Sequence, residues 1–290
     1  MTASDAVCHA DHAAVLRARV VSHDEVAENT WRIRLDCPPV AAQAVPGQFA
    51  MLRLVDRTDP LLARPLAVYD VFSDGIERRY VDFMYVVHGR FTRALTTIRP
   101  GDEVAVWGPL GNGFHLPATE HVVLVAGGIG QTALLALARE RLGKAAYGEP
   151  VREVPPADRV TFCWGARHAG LFASVDDFRK AGCDVHQATL DGSAGTRGTV
   201  VDLLDRLFAD GIDAATSHVA CCGPEPMMAA VARWSAARNV PCHVSLETPM
   251  ACGIGICFTC VAPIRDGDGQ WDYRRTCVEG PVFDAQRIVW

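Results

Sequence analysis

From about residue 15 to 117, apolar and polar positions alternate in short runs, at 17–21, 30–35, 49–55 and 80–87, separated by Gly, Pro and Asp breaks. Alternation with period two is the signature of strands with one face buried. Six or so such strands in about a hundred residues predict a closed antiparallel barrel. After Pro117 the rhythm changes. Apolar runs at 122–125, 160–164 and 219–220 are each followed by a helical pattern, the first running to about 141 and the others near 174–181 and 226–238. Alternating strand and helix predicts an open parallel sheet. From 245 to 290 no helix is evident and glycines are frequent, too little apolar material for an independent core. The division expected is therefore a barrel at 15–117, an α/β unit at 118–244 and a small module at 245–290. Residues 143–158, with Gly148, Pro150, Pro155 and Pro156, read as an exposed loop.

With 290 residues, 49% of them hydrophobic and 21% charged, the chain can bury a sizeable core. Its net charge of −6 offers no electrostatic footprint for nucleic acid or an anionic membrane. The most apolar window, 122–138, is broken by Gly127, Gly128, Gly130, Gln131 and Thr132, so it predicts strand, turn and helix instead of a membrane span. The first fifteen residues carry Asp5 and Asp11 and lack the basic flank and apolar run of an export signal, so a cytoplasmic, reducing location is expected.

In that setting the 11 cysteines are informative. Cys252, Cys257 and Cys260 are spaced C-x4-C-x2-C, and Cys277 follows beyond a glycine-containing loop. This is the plant-type spacing for a [2Fe-2S] cluster, three thiolates on one side and a distant one closing the other. Gly253 and Gly255 suit a backbone wound tightly around it. A structural zinc site is the alternative, although its ligands usually come in two close pairs. The others, Cys8, Cys37, Cys163, Cys183, Cys221, Cys222 and Cys242, are scattered and read as small buried hydrophobes.

Gly127, Gly128 and Gly130 stand between an apolar strand and a helix, where bare backbone and helix-terminal N–H groups can receive a pyrophosphate. A ligand-free packing turn is the alternative for these glycines taken alone. Cys222 and Gly223 end a later strand at the same carboxyl edge, which argues for a dinucleotide such as NAD. Cys222 either contacts the nicotinamide or is a buried structural thiol. Arg167 and Arg197 could meet a ribose phosphate or solvent, so NAD and NADP are not separated. In the barrel half, Arg64, Pro65, Leu66 and Ala67 place a forked guanidinium beside a β segment, suited to the diphosphate of a flavin. Met84, Tyr85 and Val86 end another strand, and Phe91 and Thr92 open a short predicted helix, 92–98, near a second phosphate position.

Together these pieces resemble the ferredoxin-reductase superfamily, and within it the electron-transfer subunits of class 1B dihydroorotate dehydrogenases, over nearly the whole chain. The family's R-P-x-S flavin motif falls on Arg64-Pro65-Leu66-Ala67, its L-Y-R-type strand on Met84-Tyr85-Val86 and its G-x-G-T turn on Gly89-Arg90-Phe91-Thr92. The most specific stretch runs from Ser245 to Cys260 and is completed by Thr276-Cys277 and Gly280-Pro281-Val282-Phe283-Asp284. Four positions depart from the pattern: Ala67 replaces a serine, Phe91 a glycine, and Thr132-Ala133 an Ala-Pro. A serine hydroxyl lost at Ala67 removes one hydrogen bond to flavin, about 0.5–1.5 kcal/mol where it is made.

The resemblance implies FAD, a [2Fe-2S] cluster and NAD as acceptor. It also implies a separate catalytic FMN subunit that oxidises dihydroorotate in pyrimidine biosynthesis, in a heterotetramer with two of each chain. The chemistry agrees independently, because nicotinamide exchanges electrons in pairs and a [2Fe-2S] cluster takes them singly, so a flavin is needed between them. No pairing of nucleophile and base marks an organic-substrate site, and no stretch is left for a substrate-oxidising TIM barrel of about 250 residues. Two other readings remain: a subunit serving ferredoxin, hydrogenase or a sulfur reductase, and a non-redox, zinc-stapled interaction module.

Overall fold

The computed structural model describes residues 12–290. The first half is the predicted barrel. Strands β1 (Ala14–Ala27), β2 (Thr30–Asp36), β3 (Phe49–Leu54), β4 (Arg64–Ser73), β5 (Arg78–Val86) and β6 (Glu103–Leu110) close in the order β1-β2-β5-β4-β3-β6. Two short helices, α1 (Pro38–Gln43) and α2 (Arg90–Leu95), sit between them. Ile33, Leu35, Leu52, Val81, Phe83, Val104 and Val106 fill the barrel and are fully excluded from water. Closure pairs every strand on both sides and leaves no open edge.

The second half is a seven-stranded sheet. Its strands β7 (His121–Gly127), β8 (Arg159–Ala166), β9 (Asp184–Thr189), β10 (Thr196–Arg197), β11 (Ser217–Cys222) and β12 (Cys242–Ser245) run parallel in the order β10-β9-β8-β7-β11-β12. Helices α3 (Leu135–Arg141), α4 (Val175–Ala181), α5 (Val200–Ala209) and α6 (Glu225–Arg238) connect them. β7 is buried along its whole length, as a central strand covered on both faces must be. The tail adds a hairpin, β13 (Val261–Arg265) with β14 (Trp271–Arg275), and then β15 (Val282–Asp284), which pairs antiparallel with β12 as the seventh strand. No described helix is long and apolar enough to cross a membrane.

One expectation needs correction in detail. Residues 143–158 are not a plain surface loop: Tyr147 is 1% exposed, packs into the barrel core and donates to Asp70 Oδ1 at 2.7 Å. Its hydroxyl and Arg139 satisfy a carboxylate that would otherwise be buried unpaired. The glycine turn after β7 is a 3-10 turn, Gly128–Ala133, and the helix that follows it runs from Leu135 to Arg141. Of the scattered cysteines, Cys37, Cys163, Cys183, Cys221, Cys222 and Cys242 are buried as expected, and Cys8 lies outside the described residues.

Candidate functional site

The glycine turn after β7 and the Cys222-Gly223 turn after β11 interlock, because β7 and β11 are neighbours with Ala126 opposite Cys222. A Cβ on Gly130 would collide with the Cys222 carbonyl, and one on Gly223 would lie 2.8 Å from the Gly127 nitrogen. Gly128 (φ +53°) is open where Gly130 is crowded. Glycine is therefore demanded at 130 and 223 by the approach of two backbones. The Cys222 thiol is buried beside Ser245, and burial pushes its pKa far up, so it stays neutral. Arg167 follows β8 and Arg197 lies on β10, both exposed at the carboxyl side of the sheet.

β4 and β5 face this turn from the barrel. Gln131 is fully buried; its Nε2 donates to Met84 Sδ at 3.2 Å, and its Oε1 has no partner among the described residues. An unsatisfied buried acceptor costs about 1–3 kcal/mol, so its presence where β5 meets the nucleotide turn fits a bound group that donates to it. Tyr69, also turned to this side, donates to Asp177 Oδ2 at 3.0 Å, and Arg32 donates to the same oxygen at 2.8 Å. The two bonds tie the barrel to α4.

The structure separates side chains from backbone along the predicted flavin strip. Tyr85 points into the barrel. The carbonyl of Ile98 can only accept, so His23 Nδ1 donates to it, and the neutral ring accepts the Tyr85 hydroxyl at Nε2 (2.7 Å). Burial lowers the His23 pKa and favours that neutral form. Phe91 is 1% exposed inside the same core, so the ring that replaces the family's glycine fills the barrel. Thr92 Oγ1 accepts from the amides of His88 and Gly89, holding the turn before α2. Arg64 is exposed and bonds to the carbonyls of Leu62 and Ala63, while Pro65, Leu66 and Ala67 are half-buried and Val86 is exposed.

The tail cysteines lie against the outside of the barrel. Cys260 and Cys277 pack with Phe49, Met51, Ala63 and Leu110. Gly253 (φ +75°) passes so close that a Cβ would lie 2.6 Å from Met51 Cγ, and Gly255 (φ +83°) is as tight against Val278. Ile254 N–H donates to Cys252 Sγ at 3.4 Å. Hydrogen bonds from Thr259, then from Cys252, hold the exposed Cys257 thiol down to about 6, whereas burial, reinforced by Cys260, pushes Cys277 up to about 12. Cys257 interacts with Cys252, and Cys277 with Cys260 and Cys252, but among the described residues no three Cys, His, Asp or Glu side chains are gathered as a metal site; as soft donors of one kind the four fit an iron–sulfur cluster in their chemistry.

Two side chains that sequence reading missed fasten this loop. Trp107 Nε1 donates to the Cys252 carbonyl at 3.0 Å. The Asn112 side chain donates to the carbonyls of Glu279 and Val282 and accepts from Val282 N–H. Neither had a local signal, since the partners lie 145 to 170 residues away along the chain.

The family model for the iron-sulfur cluster binding domain of dihydroorotate dehydrogenase B matches residues 247–289. A curated dihydroorotate dehydrogenase B (NAD(+)) electron transfer subunit from Desulforamulus reducens is 36% identical over 95% of this chain and 98% of its own. The counterpart from Shouchella clausii is 36% identical over 94% and 97%. Among solved structures, an NADH-dependent reduced ferredoxin-NADP oxidoreductase superposes with a TM-score of 0.76 at 29% identity, covering 94% of this chain and 90% of that one. The ferredoxin reductase of carbazole 1,9a-dioxygenase shares the fold at 20% identity and a TM-score of 0.65. Identity of this extent across the whole length places the chain in the family of dihydroorotate dehydrogenase B electron transfer subunits.

Proposed function

We propose that this chain carries electrons between a catalytic dihydroorotate dehydrogenase subunit and NAD+, with three modules divided at 117 and 244. FAD would lie along Arg64–Ala67 and Met84–Val86 with phosphates near Phe91 and Thr92. NAD would meet Gly127, Gly128, Gly130, Cys222 and Gly223. A [2Fe-2S] cluster would be held by Cys252, Cys257, Cys260 and Cys277. When bound, the flavin supplies exchange between paired and single electrons and the cluster supplies single-electron transfer. The chain's own residues bind and orient: Arg64 offers charge to a diphosphate, Gln131 Oε1 offers an acceptor, and the open Gly128 admits a pyrophosphate to bare backbone.

The observation that carries this reading is Ala63. It packs with Cys260 and Cys277 on one side and leads directly into the flavin strip at Arg64 on the other, so cluster ligands and flavin residues adjoin. The partner would cover the cysteine loop, where Ile256 (74% exposed) and Phe258 (63% exposed) leave large apolar side chains in water. The family resemblance extends the proposal to two of each chain, in the cytoplasm. Reconstitution tests it: dihydroorotate-dependent NAD+ reduction should require both chains, and a complex mass should give the stoichiometry. A colourless, zinc-containing protein without flavin would sink the reading. A second reading keeps the cofactors and makes ferredoxin the partner, favoured by the similarity to a ferredoxin-NADP oxidoreductase; reduction of ferredoxin but not of the dehydrogenase subunit would select it.

A further inference from the structure

On β6 the inward side chains Val104 and Val106 fill the barrel, and Trp107 turns outward, opposite Met51 of β3. Its indole packs on the patch formed by Phe49, Met51, Leu110, Cys260 and Cys277. The ring therefore stands between the barrel wall and the cysteine loop, with its one polar atom bonded to the backbone of Cys252.

A trans peptide carries its N–H opposite its C=O. Fixing the Cys252 carbonyl toward Trp107 thus turns the Gly253 N–H away from the barrel, to the loop side. The next amide, that of Ile254, already donates to Cys252 Sγ. Gly253 permits this arrangement, because any larger residue would strike Met51 and Leu110. The orientation of these amides matters chemically, since hydrogen bonds to ligand sulfurs stabilise the more negative, reduced cluster and raise its potential.

We propose that Trp107 is a positioning residue for the iron–sulfur centre: its indole N–H sets the Cys252–Gly253 peptide and so the amide hydrogen bonds to sulfur that tune the cluster's reduction potential. The inference rests on the cluster assignment above. It is tested by redox titration of the holoprotein followed by electron paramagnetic resonance, with iron, sulfide and flavin quantified. Trp107→Phe keeps the ring and removes the N–H; it should retain the cluster, shift its midpoint potential negative and alter its g values. Trp107→His keeps a ring donor and should return toward the wild type. Trp271→Phe alters an exposed indole on the tail hairpin, away from the cysteines, and should change neither quantity.

A fully loaded Trp107→Phe protein with wild-type potential and spectrum overturns the proposal, as does an equal shift in Trp271→Phe. Where Trp107→Phe fails to load iron, loading restored by Trp107→His supports it and equal failure overturns it. A wild-type protein without acid-labile sulfide or a reduced-state signal would instead defeat the cluster assignment itself.

Discussion

The barrel and the cysteine-bearing tail touch along β3 and β6, and they are held by different means. The barrel buries Ile33, Leu35, Phe83 and Val106 completely and joins every strand to two others. The tail contributes Cys260 and Cys277 to a small cluster whose remaining buried members, Phe49, Met51, Ala63 and Leu110, belong to the barrel. Its hairpin presents Trp271 and Tyr273 to water. One region is ordered by its own apolar core. The other depends on a borrowed surface, a few polar clamps and its cysteines, as expected for a segment too small to bury a core of its own. Of its four cysteines, Cys260 and Cys277 are buried against the barrel while Cys257 is exposed to water.

The strongest way to break that contrast is Cys277→Ser. It should abolish cluster absorbance and leave the tail open to limited proteolysis while the barrel resists; a variant that retains its iron would remove Cys277 from the ligand set. Phe83→Ala should lower global stability by about 3–5 kcal/mol in urea unfolding, as aromatic truncation in a packed core does. A loss confined to the tail would contradict a self-sufficient barrel. Asn112→Ala removes three side-chain hydrogen bonds, about 3 kcal/mol at roughly 1 each. Faster hydrogen exchange near Val282 with barrel protection unchanged is the expected signature.

Gln131→Met sharpens the comparison from the barrel side. It should stabilise the flavin-free protein by about 1–3 kcal/mol, since an unsatisfied acceptor is removed, and weaken flavin retention. Tighter flavin binding would show that Gln131 does not serve the cofactor. The smallest effect concerns the sheet. Burial lowers the pKa of both His121 and His218 to about 4. The unfolded chain therefore binds more protons below about 6.5, and stability should fall as pH drops from there toward 4. Between pH 7 and 6 the loss is on the order of 1 kcal/mol for the two rings together. Stability that rises on acidification would contradict it.

Much of the fold was legible because its signals are local: alternation in the barrel, strand-helix rhythm in the sheet, and four cysteines with a specific spacing. The side-chain directions at the flavin strip were not. Along β5 from Val81 to Tyr85 every residue is buried, because one face lines the barrel and the other is covered by the nucleotide half. Asp82 marks one outward position, but the next, Met84, is as apolar as its inward neighbours, so the alternation fades before it shows that Met84 meets Gln131 while Tyr85 points inward. Gln131 itself lay within the glycine turn, yet only its missing partner marks it as more than packing. Tyr147 was hidden by the prolines and glycines around it.

The return of β15 to the sheet has one more consequence. Ser245, the last residue of β12, lies directly opposite Val282, the first of β15, and Leu246 N–H donates to the Pro281 carbonyl just beyond them. The segment from 246 to 281 therefore leaves and rejoins the sheet at a single point, as the loop of a hairpin does. Geometrically it is an insertion between two paired sheet residues, anchored a second time where Ala262 and Ile264 enter the sheet's core and Ile264 bridges Ile288.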